Sequence, residues 1–209
     1  MTITKNESAA RPALERLDEA GRSLLFTAAR TANSFAATPV SDSELADIWE
    51  LAKWPPTAAN TQPLRVLYVR PGAGRDRLIP HMSDGNKAKT ESAPAVAVLA
   101  VDTQFHEHIP VLMPFRPEMK DVFAANDDMR TKAGTFNSTL QAAYFLLSVR
   151  AHGLAAGPMA GFDADGIDAE FFPAGRWHTI LVVNIGHPGE NPWFDRLPRL
   201  DQAEVVRWA

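Results

Sequence analysis

The chain has no cysteine among its 209 residues. Disulfide bridges, thiolate metal sites and thiol nucleophiles are therefore excluded. Long apolar runs are missing too. None approaches the roughly 20 residues a membrane-crossing helix needs, and the opening stretch MTITKNESAARPA has no apolar signal core. There is no excess of positive charge: 21 Lys and Arg face 25 Asp and Glu, for a net charge of −4. The basic residues are dispersed, with no stripe for nucleic acid and no polybasic anchor. A Gly-x-Ser-x-Gly elbow is lacking, so a Ser–His–Asp hydrolase has no anchor. No acid/base pair stands out either, and if the protein is an enzyme, its hard chemistry belongs to a cofactor. The expectation is one cytoplasmic domain over residues 13–209, preceded by a disordered arm over 1–12, with neither nucleic acid nor membrane as a partner.

What is present alternates between helical and strand patterns. Leu14, Leu17, Leu24, Leu25 and Ala28 recur at helical spacing and predict a helix over 13–29. Ser41 with Glu44 is a candidate capping box for a second helix that stops at Pro55. Strands are expected over 65–69, 94–101 and 178–186; the last two are continuously apolar, as in a buried strand. Short helices are expected over 75–82 and 165–171, and the longest over 129–152 with Gly153 as its C-terminal stop. Residues 83–92, SDGNKAKTES, read as a polar loop, 103–126 as irregular, and 154–163, LAAGPMAGFD, as a Gly-rich connector. The mixture predicts an α/β or α+β domain with helices covering a sheet. A proline-rich tail carrying Trp193, Phe194 and Trp208 needs a surface to pack on, and a second subunit supplies one.

Two sequence features are weak as sites. His106 and His108 flank Glu107, yet no third metal ligand follows at a recognised spacing, and they read as solvated loop histidines. PGAGRDR, residues 71–77, lacks the third glycine of a dinucleotide fingerprint and the Lys-Ser/Thr of a triphosphate loop, and reads as a turn. A third stretch is less ordinary. PPTAANTQP packs Thr57, Asn60, Thr61 and Gln62 into one short connector without a glycine, more side-chain donors and acceptors than a turn needs.

Other polar groups share that character: Arg30, Thr31 and Asn33 after the first helix, Asn86 and Lys89, the tight connector Pro158-Met159-Ala160-Gly161 with the free backbone N–H groups of its residues after the proline, and Arg196 and Arg199 near the end. These types suit a flavin mononucleotide. Its phosphate dianion favours arginine forks. Its ring edge pairs with amides and hydroxyls, and the N1–O2 edge, negative on reduction, favours a nearby cation.

The order of these motifs resembles the flavin-dependent nitroreductase superfamily over nearly the whole chain. RTANSF matches the family's phosphate-binding motif at Arg30 and Thr31. PTAANTQP, with Pro56, Thr57, Asn60, Gln62 and Pro63, matches the loop that lies on the flavin, usually from the second subunit. Asn86 and Lys89 match the amide–lysine pair on the pyrimidine edge, Pro158 to Phe162 the loop under N5, and Arg199, with Arg196 as helper, the C-terminal phosphate arginine. Asn33 departs from the family's frequent Arg or Lys. The resemblance implies an α+β fold with a mixed or antiparallel sheet, an interlocked homodimer, FMN at each interface and alternating use of NADH or NADPH and an acceptor. ARTANSF, SDGNKAKTESAP, LQAAY and GPMAGFD are most similar to the malonic semialdehyde reductase branch, which implies a small aldehyde acid as acceptor and 3-hydroxypropanoate as product. Arg116 is the candidate for its carboxylate. A broad nitroaromatic or quinone reductase and a non-catalytic flavin-binding protein stay open as alternatives.

Overall fold

The structure, a computed structural model, describes residues 14–209; the arm expected over 1–12 lies outside the described residues. Four strands, β1 (Leu64–Val69), β2 (Ala95–Asp102), β3 (Ala155–Met159) and β4 (Trp177–Gly186), form one sheet in the order β1-β2-β4-β3. Every pairing is antiparallel, so the fold is α+β and the mixed arrangement is set aside. The central pair is built from Val- and Ala-rich runs and is buried on both faces. Alternate residues point to opposite sides. Ala95, Ala97, Leu99, Val183 and Ile185 meet α2 (Asp42–Ala52) and the 25-residue α7 (Asp127–Ala151) through Leu45, Ile48, Phe145 and Val149. Val96, Val98 and Val182 meet α3 (Ala73–Leu78) and α8 (Ala164–Phe171) through Leu78 and Ile167.

Local signals place the helix ends. Ser41 and Glu44 exchange both capping-box hydrogen bonds and start α2. Gly153 takes φ +72° just after α7, the left-handed stop that glycine adopts without a Cβ clash. Among the described residues, no helix is long and apolar enough to cross a membrane.

Four expectations need correction. The first helix is short: α1 (Glu19–Arg22) runs into a π-helical turn, Ser23–Thr27, and Leu17, Leu24 and Phe26 remain exposed instead of joining the core. The stretch read as a polar loop is α4 (Asp84–Ser92), which buries only Thr90. Its C-terminal carbonyls of Thr90 and Glu91 accept hydrogen bonds from buried Arg75, so tertiary contacts rather than an apolar stripe hold it. The Gly-rich connector contains β3, an edge strand, where a proline costs no ladder bond if its N faces outward. The irregular region holds a 3-10 turn, Phe105–His108, α5 (Ile109–Leu112) and α6 (Met119–Ala124).

Candidate functional site

Arg30 and the C-terminal arginines meet because two distant segments zip together. Ala32 N–H donates to Ala156 O on β3 at 3.2 Å, Asn33 N–H to Pro192 O at 3.0 Å, and Ala36 N–H to His187 O at 3.0 Å. The chain leaving β4 is thereby laid along residues 32–36 and carries Arg196 and Arg199 toward Arg30. The result is a cleft of about 470 Å³ lined by Arg30, Thr31, Asn33, Arg196 and Arg199. Arg196 donates to the carbonyls of Thr27 (2.7 Å) and Ala29 (3.1 Å), and Arg199 to those of Leu197 and Pro198. Arg30 Nε is buried without a partner. Asn33 turns its amide back to Thr31 O at 3.3 Å, leaving its side-chain oxygen free.

The other end of β3 carries the amide group. Asn86 on α4 donates to Gly161 O at 2.8 Å, and Ser83 N–H donates to the same carbonyl at 3.1 Å. Lys89 lies one helical turn beyond Asn86. Pro158 and Met159 stand in β3, not in a connector, and only Ala160 and Gly161 lie beyond its end. Met159 is buried beneath, with Thr90 Oγ1 3.6 Å from its sulfur. One sheet edge thus joins the arginine cleft beside Ala156 to the Asn86–Gly161 contact five residues on, about 16 Å along an extended chain.

Pro56, Thr57, Asn60 and Arg116 are elsewhere. The loop of Pro56, Thr57 and Asn60 leads into β1, the opposite edge, three strand spacings or about 14 Å across the sheet, and Arg116 lies between α5 and α6. The loop is tied to α7 by Ala58 N–H to Asn137 Oδ1 at 2.8 Å. Asn137 precedes Arg150 by thirteen residues, about 20 Å of helix. The loop's polar side chains largely hold the loop itself. Asn60 donates to Leu112 O (2.8 Å) and accepts from Gln62 (2.8 Å), and Thr57 Oγ1 accepts from Gln62 N–H. Ala59, Asn60 and Gln62 all adopt positive φ, at 54°, 48° and 42°. Arg116 is exposed and paired with Glu118 at 3.0 Å.

Reading the sequence missed Arg150, which lines the arginine cleft from the last turn of α7. Burial pushes its pKa below the usual arginine value. A basic residue ending a helix commonly complements the helix dipole, so nothing in the sequence set it apart. His106, expected to be solvated, is buried; burial, then the nearby Arg130 charge, lower its pKa. At the β1 end of the sheet buried Asp102 binds Arg65 (2.6 Å) and Arg176 (2.8 and 2.9 Å). Burial alone would raise this carboxyl; hydrogen bonds from Arg176 and the Gln104 N–H, with the charges of Arg65 and Arg176, hold it below the usual carboxylate range. That network ties strands together and lies away from the β3 edge. Among the described residues, no group of three or more His, Asp or Glu could hold a metal.

The four-stranded antiparallel α+β fold has counterparts. The sequence profile of the Nitroreductase family matches residues 27–187. The chain belongs to the Nitroreductase family and is an oxidoreductase. A Streptomyces coelicolor relative, provisionally named NADH dehydrogenase/NAD(P)H nitroreductase, is 59% identical over 196 residues, covering 94% of this chain and 97% of its own. Among solved structures, an Exiguobacterium sibiricum nitroreductase in complex with FMN has a TM-score of 0.80 at 20% identity, covering 94% of this chain and 99% of its own. A Staphylococcus epidermidis NAD(P)H:FMN oxidoreductase has a TM-score of 0.76 at 18% identity, covering 94% and 98%. These structural likenesses concern the fold.

Proposed function

We propose that this protein is an FMN-dependent oxidoreductase in which NADH or NADPH delivers reducing equivalents and a small acceptor takes them up. One observation carries the reading: a single sheet edge joins a cleft of arginines to an amide-rich end, and Arg30 Nε is buried there without a partner. That orphaned donor and its neighbours fit a phosphate dianion. Asn86, Lys89 and the backbone of Ala160 and Gly161 fit the polar edge of a flavin. The bound flavin supplies two-electron hydride chemistry. The chain's own part is placement. Arg30, Arg196 and Arg199 anchor the phosphate, Thr31 and Asn33 line its approach, and Lys89 stabilises negative charge on the ring edge. Pro158 and Met159 set the floor at the end of β3, Met159 through its buried contact with Thr90.

Pro56, Thr57 and Asn60 complete the site from a second copy. The sheet separates their loop from the β3 edge within one protomer, and three left-handed non-glycine residues in four positions are strain of the kind that clusters at functional sites. Phe136, Leu140 and Tyr144 form an exposed apolar stripe on α7, and Phe194 and Trp208 on the tail are exposed at 74% and 87%. A homodimer covers both surfaces.

For the acceptor we favour malonic semialdehyde, giving 3-hydroxypropanoate. Arg116 can serve its carboxylate, because the exposed pair with Glu118 is weak, about 0–1 kcal/mol, and readily exchanged. Phe115 and Val111, exposed beside it, favour a second reading, a flat nitroaromatic or quinone acceptor. Anaerobic reoxidation of the reduced protein by malonic semialdehyde, a nitroaromatic and a quinone, measured side by side, separates the two. A yellow protein whose flavin stays oxidised under anaerobic NADH and NADPH would remove the enzymatic reading.

A further inference from the structure

We infer that Arg150 is a phosphate ligand of the cofactor, acting with Arg30 as a two-arginine clamp; this rests on the FMN reading above. The arginines of the cleft are unequal. Arg196 and Arg199 each donate to two backbone carbonyls. Among the described residues, the guanidinium groups of Arg30 and Arg150 have no hydrogen-bond or ion-pair partner, and Arg30 Nε is buried. They reach the cleft from different elements, Arg30 from the segment laid on β3 and Arg150 from the last turn of α7. Both also line an adjoining cleft of about 160 Å³, so they stand where the two openings meet. Asp195 is the one acid among the described residues lining the larger cleft. Two half-buried cations with no carboxylate in ion-pair contact are costly, and a dianion between them removes the cost. An arginine fork satisfies two phosphate oxygens at once, so Arg150 supplies geometry as well as charge.

The competing role is structural: a cation on the last turn of α7 that complements its dipole. Titrating flavin-free protein with FMN and with riboflavin, read by flavin fluorescence, separates the two. Arg150→Gln is expected to weaken FMN binding by about 10- to 100-fold, the effect of a lost charged hydrogen bond, while riboflavin binding is unchanged. Arg150→Lys keeps the charge without the fork and recovers part of the loss. Equal weakening of FMN and riboflavin with a lower melting temperature would assign Arg150 to the helix end and overturn the proposal. Unchanged FMN affinity would overturn it too, as would a loss confined to the Michaelis constant for NADPH over NADH, which places the phosphate on the other nucleotide. A wild-type protein that binds no FMN would instead bring down the cofactor reading, and this assignment with it.

Discussion

Gly157→Ala tests how closely the site depends on the seam between β3 and residues 30–33. Gly157 lies in β3 with ordinary strand backbone, so a side chain meets no φ penalty there. The penalty comes from contact. A Cβ would stand 2.7 Å from Ala32 O, 3.3 Å from Phe35 Cζ and 3.4 Å from Asn184 Cβ. The first neighbour is backbone and cannot rotate away. The segment must lift, and with it goes the 3.2 Å bond from Ala32 N–H to Ala156 O that fixes Arg30 at the cleft. Overpacking of this kind costs about 1–3 kcal/mol. At about 2–4 °C per kcal/mol for a chain of this length, the melting temperature falls by about 2–12 °C. Because Arg30 moves with the segment, FMN affinity falls as well, by about tenfold for a displaced charged contact. Calorimetry and FMN titration measure the two effects. Gly85→Ala, in α4 with open space around it, is the control and is expected to leave FMN binding alone. A Gly157→Ala protein with wild-type melting temperature and FMN affinity would refute the reasoning.

Other consequences are equally concrete. Arg30→Ala should weaken FMN binding by about 1.5–3 kcal/mol in the same titration. Asn60→Ala loses the bonds to Leu112 O and from Gln62 and places alanine at φ +48°, together about 3 kcal/mol by denaturant unfolding, whereas Asn60→Gly loses only the two bonds, about 2 kcal/mol. Asp102→Asn removes the partner of Arg65 and Arg176 and should cost about 3 kcal/mol, the low end for a broken buried pair because both guanidiniums reach solvent. Asp102 is held below its unfolded value of about 3.9, so its contribution is fully present above that pH and is lost as pH falls through the folded pKa. Acid unfolding followed by circular dichroism should therefore show part of the wild-type drop below about pH 4 missing in Asp102→Asn.

The elements legible in the sequence were those whose signals are local. The Ser41–Glu44 box, the apolar runs of β2 and β4 and the Gly153 stop each depend on a few neighbouring residues. What was hidden depends on distant ones. Residues 84–92 have no apolar stripe, and their helix relies on Arg75, reached only through the fold. The β3 stretch Ala155–Met159 contains Gly157 and Pro158, which read as breakers until the strand is known to be an edge. For the site, motif order marked Arg30, Asn86, Gly161 and Arg199, and the fold brings them to one edge. It also shows that Asn60 and Gln62 support their own loop, a role no motif discloses. Arg150 carries no motif at all and emerges only where α7 ends beside Arg30.

A crystal structure of the FMN-loaded protein tests the central claim most directly. It should place the phosphate within hydrogen-bonding distance of Arg30, the polar ring edge against Asn86 and the Gly161 backbone, and residues 57–60 of a second copy over the ring. FMN bound away from the β3 edge, or held by one protomer with that loop facing solvent, would contradict the account.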